Sequence, residues 1–179
     1  MHTLTFRTAT VADIPAIVEL VTSAYRGEAS RAGWTTEADL LDGTRIEPDV
    51  LRQDILRDRS LVLLAEIDGR LVACAHIADD GDAGYFGMFS VTPVQQGAGI
   101  GKQMMAEAER IVGEDWALPR MRMTVIDVRA ELIAFYERRG YQRTGITRPF
   151  PYGDARFGIP LRDDLRFEVL EKPLGSRLA

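Results

Sequence analysis

The pattern of this chain predicts an α/β fold, with a mixed sheet, helices on both of its faces, and a single domain over residues 1–179. Three observations support that class. Runs with strand-like alternation are interspersed with runs whose apolar residues recur at helical spacing, so neither an all-helix nor an all-strand layer architecture fits. Two Leu/Val-rich runs flank Asp68-Gly69, a dipeptide suited to the tight turn of a hairpin. The stretch Tyr85–Met105, YFGMFSVTPVQQGAGIGKQMM, then reads as a strand that passes through a glycine-rich turn into a helix, and the rest of the chain is organised around it.

Composition narrows the function classes. An apolar content of 46% over 179 residues supports one substantial core. A net charge of −5 gives no global attraction to nucleic acid or to an anionic membrane, so neither is an expected partner. Cys74 is the sole cysteine, which rules out an internal disulfide and a thiolate metal cluster, and no metal is expected. The start of the chain lacks a charged-then-apolar leader, and no apolar run approaches the ~18 residues of a membrane span. The expectation is a cytoplasmic protein.

Taken in order, Thr3–Thr8 sets Leu4 and Phe6 against polar neighbours and reads as an edge strand. Thr10 is placed to cap a helix, with Asp13 at the third position, where a carboxylate favours the helix dipole. Ile14, Ile17, Val18 and Val21 follow at helical spacing, and Pro15 falls in the first turn, where a missing N–H costs little. Residues 25–44 are irregular, with only Thr35–Leu41 helical in pattern; long polar and aromatic loops of this kind carry ligand contacts or pack as lids. Pro48–Asp58 predicts a short helix with Val50, Leu51 and Ile55 inward. Ser60–Ile67 and Leu71–Ala78 are the hairpin strands, and the second is apolar on both faces, as inside a sheet. Cys74 and His76 share one of those faces, where such residues more often fill core than catalyse. Asp79-Asp80-Gly81-Asp82 is an acidic turn that solvates the hairpin or attracts a cationic amine.

After the glycine turn, Gly101–Val112 predicts a helix with Met104, Met105, Ala108, Ile111 and Val112 as its buried stripe and Gly113 as its end. Arg120–Ile126 alternates as a strand, and Asp127 or Arg129 starts a helix carrying Leu132, Ile133 and Tyr136 on one side. A short strand after Tyr141 gives way at Thr144-Gly145. Residues 148–164 form a loop whose aromatic content predicts order, Arg166–Glu171 is the last strand, and the tail from Pro173 frays.

The turn itself, Gln96-Gly97-Ala98-Gly99-Ile100-Gly101-Lys102, lets the backbone approach a ligand because no Cβ stands in the way. The first amides of the helix behind it lack internal partners and carry partial positive charge, which suits a phosphate or pyrophosphate. A P-loop fails here, because Gly101-Lys102 is followed by Gln103 and the position five before Gly101 is Gln96. The dinucleotide fingerprint Gly-x-Gly-x-x-Gly fails as well, since its third glycine would fall on Lys102 or Met104. Gln-x-x-Gly-x-Gly fits, filled by Gln96, Gly99 and Gly101 after a strand ending Val91-Thr92-Pro93. This resembles the acetyl-CoA pyrophosphate loop of the GNAT superfamily of N-acetyltransferases.

A second stretch, Ala130–Tyr141 (AELIAFYERRGY), carries the same resemblance: a helix ending in tyrosine, a short charged segment, then Gly and an aromatic residue. Gly140 suits the left-handed conformation that closes a helix, and Arg138 and Arg139 complement its negative end. The resemblance implies a twisted, mostly antiparallel sheet of about six or seven strands, splayed into a central V. It implies acetyl-CoA as co-substrate, with the pantetheine arm on the backbone of Phe89, Ser90 and Val91 and the pyrophosphate on Gln96, Gly97, Ala98, Gly99, Ile100, Gly101 and Lys102. Tyr136 matches the family's catalytic tyrosine; a phenol stays protonated at neutral pH and can protonate the leaving thiolate.

Two departures accompany it. Many members have asparagine seven residues before the tyrosine, where this chain has Arg129, a donor able to reach phosphate or pantetheine oxygens. Many also place a carboxylate on the central strand or its neighbour, and Tyr85–Val91 has none, which leaves Glu28, Asp80, Asp82 or His76 as the base. Acceptor contacts are expected from Glu28, Trp34, His76 and Tyr85, with Glu28 or Glu37 holding an ammonium and Arg148 and Arg156 a carboxylate or phosphate, where the 148–164 and 25–44 loops meet. The function implied is acetyl transfer to a primary amine of a small molecule, peptide or protein by direct attack in a ternary complex. The alternative is a non-catalytic CoA-binding regulatory module. A homodimer is open, since dimers are common in the family.

Overall fold

The opening alternation becomes β1 (Leu4–Thr8), which lies at one edge of a seven-stranded sheet. The computed structural model describes residues 2–25, 41–42, 46–96, 98–153 and 159–175. A 3₁₀ turn (Val11–Asp13) leads into α1 (Ile14–Tyr25). Asp13 fixes this entry: its carboxylate accepts the Thr10 N–H at 2.8 Å and both arms of the Arg7 guanidinium at 2.8 and 2.9 Å. The Arg7 hydrogen bonds hold the Asp13 carboxyl down to about 2.

β2 (Leu41–Asp42) and α2 (Pro48–Leu56) follow. β3 (Ser60–Ile67) and β4 (Arg70–Asp79) then form the expected hairpin, with Asp68 and Gly69 at φ of 52° and 75°. Positive φ at both central residues is what a type I′ turn requires. β5 (Gly84–Val91) runs through a 3₁₀ turn (Pro93–Gln95) to α3 (Ile100–Arg110). β6 (Arg120–Ile126), α4 (Ala130–Arg138), β7 (Gln142–Pro149), β8 (Ile159–Pro160) and β9 (Arg166–Pro173) complete the chain.

Four sequence expectations are corrected. Gly113 does not end its helix, which widens into a π turn (Ile111–Asp115) closed by the Trp116 N–H on the Ile111 carbonyl at 2.9 Å. The strand after Tyr141 does not stop at Thr144-Gly145, because a bulge with Gly145 at φ 82° absorbs the extra residues and pairing resumes at Thr147. Pro173 is still paired, opposite Arg120. Val50 is not inward but 42% exposed, while Leu51 beside it is fully buried. Of the helix expected over Thr35–Leu41, Leu41 lies in β2, opposite Pro160 of β8, and the rest is outside the described residues.

The sheet order is β1-β3-β4-β5-β6-β9-β7, antiparallel except where β5 meets β6. Alternation sorts the core onto two faces. Val62, Leu64, Cys74 and Met88 pack under α1 and α2, with Ile17, Leu20, Val21 and Leu51. Leu63, Ala65, Ala73, Ala75, Phe89 and Val91 pack under α3 and α4, with Met104, Met105, Ala108, Leu132 and Ile133.

The β5–β6 junction positions everything that follows. These parallel strands pair only at Gly84 with Met121 and Tyr85 with Arg122, and then separate. Gly84 sits hard against α3's continuation: a Cβ there would lie 2.4 Å from Val112 Cγ1. Beyond it, β5 gains a residue relative to β4, Ser90 standing opposite Cys74 and Gly87 opposite His76. Met88 takes up the extra length at φ 53°, a conformation that costs a non-glycine residue about 1 kcal/mol or more. Such a bulge bends its strand, and the sheet opens into a V.

Candidate active site

The glycine turn lies at the mouth of this V. Gly99, at φ 81°, is the N-cap of α3, a position only glycine takes without strain. A Cβ on Gly101 would come within 2.9 Å of the Phe89 ring. Above the turn is a cavity of about 520 Å³, walled by Gln96, Gly99, Gly101 and Lys102 on one side and by Glu131, Phe135, Arg138 and Arg139 of α4 on the other. Arg139 lies over the Phe135 ring at 4.4 Å, and its Nε is buried without a hydrogen-bond partner. An unmet buried donor costs about 1–3 kcal/mol, so this guanidinium suits an anion. Together, an α-helix N-terminus, Lys102, Arg138 and Arg139 fit a pyrophosphate. The sequence reading had given both arginines only a helix-capping role.

The open edge of β5 leads inward from there. The Thr92 N–H bonds to Val72 of β4 at 2.8 Å, so alternation turns the N–H and C=O groups of Val91 and Phe89 toward the gap. The Val91 carbonyl accepts the Gln96 side-chain amide at 3.0 Å, and the Phe89 carbonyl accepts the Tyr25 hydroxyl. Gln96 thus shapes the turn by tying it to the strand end. The Ser90 side chain faces away, fully buried and donating to the Met88 carbonyl at 3.1 Å, and the Ile100 side chain is in the core. Those two residues can offer a ligand only backbone groups. Ala98 is exposed, and Gly97 is outside the described residues.

A further cavity of about 420 Å³ runs through the V from one face of the sheet to the other. Its walls include Tyr25 of α1, Glu47, Val50 and Asp54 on and beside α2, His76 of β4, Tyr85 and Phe89 of β5, and Arg129, Leu132 and Tyr136 at α4. Phe89 lines both cavities. Tyr136 is 4% exposed and wedged among rings: Phe135 at 5.6 Å and Tyr141 at 6.1 Å edge-on, Phe89 at 6.5 Å. Tyr141 is kept out of acid–base work, since burial, then Glu109, which accepts its hydroxyl at 2.9 Å, pushes its phenol well above the ordinary range.

Arg129 caps α4, lies over the Tyr25 ring at 5.6 Å, and lines the through-sheet cavity. It is not in the wall above the glycine turn, which Arg138 and Arg139 line. His76 and Tyr85 both line the through-sheet cavity, with their rings edge-on at 5.6 Å. His76 is 8% exposed; its Nε2 is 2.8 Å from Ser60 Oγ and its Nδ1 is 3.7 Å from Asp54 Oδ2. Burial lowers the ring's pKa, with Asp54 opposing and Arg57 reinforcing.

The acidic turn is corrected as a candidate base or amine site. Arg122 holds Asp82 at 2.9 and 3.0 Å and Asp80 at 3.4 Å, at the closed end of the V, and neither carboxylate lines the cavity over the glycine turn or the through-sheet cavity. Arg148 lies on the exposed edge strand β7, outside both cavity walls. Glu28, Trp34, Glu37 and Arg156 fall outside the described residues. The cavity carboxylates that the sequence reading missed are Glu47 and Asp54. A signal existed, because 47, 50 and 54 make one stripe at helical spacing, and it is polar–apolar–polar where a core face would be apolar throughout. Among the described residues, no cluster of His, Cys, Asp and Glu is arranged to hold a metal ion, and no helix is long and apolar enough to cross a membrane.

The chain's likeness to known proteins agrees with this architecture. A ribosomal-protein-alanine N-acetyltransferase from Brucella melitensis superposes with a TM-score of 0.70 at 21% identity, over 95% of this chain and 99% of that one. A spermidine N-acetyltransferase from Vibrio cholerae gives 0.70 at 13% identity, over 98% and 96%. An N-acetyltransferase from Staphylococcus aureus gives 0.73 at 11% identity, over 96% and 98%. At these identities the likeness shows the fold. No curated protein matches the chain. The sequence model of the acetyltransferase (GNAT) family matches residues 16–141, a span that holds the glycine turn, the V and Tyr136. The chain therefore belongs to the GNAT family of acetyltransferases, and its activity class is acyl transfer.

Proposed function

We propose that the protein moves the acetyl group of acetyl-CoA to a primary amine, on a small molecule or a peptide, by direct attack in a ternary complex. One observation carries this reading: Phe89 lines both the cationic cavity over the glycine turn and the through-sheet cavity, and Tyr136, in the wall of the second, packs against Phe89 at 6.5 Å between ring centres. The two substrates enter from opposite faces and touch in the gap.

Acetyl-CoA supplies an acyl group already activated as a thioester. Lys102, Arg138, Arg139 and the first amides of α3 hold its pyrophosphate, and the open backbone edge at Phe89 and Val91 aligns its amide-bearing arm. Tyr136 keeps its phenolic proton at neutral pH and gives it to the sulfur as the C–S bond breaks. The acceptors named for the similar structures, a ribosomal-protein alanine and spermidine, differ too much to choose one for this chain.

The test is the thermal shift of the purified protein with acetyl-CoA, ATP and NAD, followed by thiol release with a panel of amines. A ligand at a hundredfold excess over Kd stabilises the folded state by about 2.7 kcal/mol. A shift with acetyl-CoA alone, and amine-dependent thiol release, is the expected result; no shift with acetyl-CoA would overturn the reading.

A further inference from the structure

The hydrogen-bond arithmetic around His76 fixes which of its nitrogens carries the proton. Ser60 Oγ lies 2.7 Å from the Asp54 backbone carbonyl and 2.8 Å from His76 Nε2. A carbonyl oxygen only accepts, so the single hydroxyl proton of Ser60 goes to Asp54. Nε2 must then carry a proton, donating to Ser60 Oγ, and in the neutral ring that burial favours, Nδ1 holds a lone pair. That lone pair faces Asp54 Oδ2 at 3.7 Å. Two acceptors stand opposite each other with no hydrogen between them, and both belong to the wall of the through-sheet cavity.

This arrangement is complete once a donor rests against both. The groups facing the ring are Asp54 of α2, Arg57 just beyond its end, Ser60 of β3 and Tyr85 of β5. Arg57 approaches the other carboxylate oxygen, Asp54 Oδ1, at 4.0 Å. Glu47 adds a second carboxylate to the same wall.

We propose that His76 Nδ1 and the Asp54 carboxylate together receive the ammonium of the acceptor, and that Nδ1 is the base that takes its proton. The acceptor class is then a cationic primary amine. The inference rests on the acetyl-transfer reading for its place in the reaction. His76 Nδ1 takes one proton from the ammonium and passes it to solvent, while Asp54 stabilises the imidazolium. The freed nitrogen pair forms the C–N bond; the nitrogen sheds its second surplus proton as the C–S bond breaks, and Tyr136 relays one proton to the thiolate. Acetyl thioester and ammonium become acetamide, thiol and one released proton.

The test has two arms. Long-range ¹⁵N NMR reads the tautomer directly, and the chain's two histidines, His2 and His76, are told apart with His76→Gln. The expected result is the Nε2–H tautomer, with an Nδ1 resonance that moves on adding butylamine, benzylamine or 1,4-diaminobutane, stays still with butanol, and stops responding in Asp54→Asn. An Nδ1–H tautomer, or no response to any of these amines, overturns the proposal. In the kinetic arm, His76→Gln lowers kcat/KM at pH 7 by about a hundredfold or more. The gap closes as the pH nears the amine's own pKa, and the thermal shift by acetyl-CoA is unchanged. Asp54→Asn raises KM more than it lowers kcat. Wild-type kcat/KM in both variants sinks the proposal while the acetyl-transfer reading stands. A wild-type protein that ignores acetyl-CoA brings down that reading alone, and the NMR arm still decides this one.

Discussion

Replacing Arg139 with methionine separates two quantities that usually fall together, stability and affinity. The methionine keeps an unbranched stem against α4 and removes the guanidinium. In the unliganded protein that guanidinium holds a buried Nε with no acceptor, a cost of about 1–3 kcal/mol, partly offset by the ring contact with Phe135, worth about 0.5–1 kcal/mol. The balance favours the variant by about 1 kcal/mol, which for a chain of this length raises Tm by roughly 2–4 °C. With CoA bound, Nε gains its acceptor, and a hydrogen bond to a charged group contributes about 1.5–3 kcal/mol. At about 1.4 kcal/mol per decade, its loss raises Kd for CoA some ten- to hundredfold. Scanning calorimetry without ligand and isothermal titration with CoA give both numbers from one preparation. A lower Tm with an unchanged Kd would refute the reasoning, because Arg139 would then be a structural residue with no anion to meet.

Three other predictions follow from the same geometry. Tyr136→Phe keeps the ring wedge and removes the acid, so kcat falls about a hundredfold or more while the CoA Kd stays within twofold, measured by thiol release and titration. Gly84→Ala pushes a methyl into Val112 and destabilises by about 1–3 kcal/mol in urea unfolding; adding Val112→Ala recovers part of it, and strictly additive losses would show that the two do not touch. Asp13→Asn tests the Arg7 pair. Asp13's depressed pKa stabilises the fold above the unfolded value of 3.8, and that contribution is lost as the pH falls through about 2. The pair is open to solvent on the Arg7 side, so the variant loses no more than ~1 kcal/mol at pH 7, and the difference vanishes near pH 2.

Much of the fold was legible because local rules decided it. The Asp68-Gly69 turn, the Thr10–Asp13 entry and the alternation of Arg120–Ile126 are read from a few neighbouring residues, and tertiary packing did not override them. The glycine turn was legible for the same reason, since Gly99 and Gly101 are needed by a backbone conformation and a close approach that the spacing reports. Gly113 and Gly145 misled, because a glycine that ends an element and one that lets it widen or bulge look alike along the chain. The grouping around His76 was hidden for a different reason. Asp54, His76 and Ser60 come from three elements, and only the hairpin register and the seating of α2 bring them together. Arg139 looked like a helix-end charge because burial is a property of the folded state.

The order of the strands also dictates an order of assembly. β1, β3, β4 and β5 form one half of the sheet from residues made early, and the glycine turn follows directly. The other half is built on β9, which lies between β6 and β7 and pairs with both. As the chain leaves the ribosome, the first wall can be complete while the wall bearing Tyr136 still lacks its central strand. A nascent chain stalled short of Arg166 would hold the glycine turn on a finished half-sheet facing an unfinished one, its edges β6 and β7 awaiting the same late strand. Without β9, both strands present unpaired edges, the kind of surface that templates misassembly.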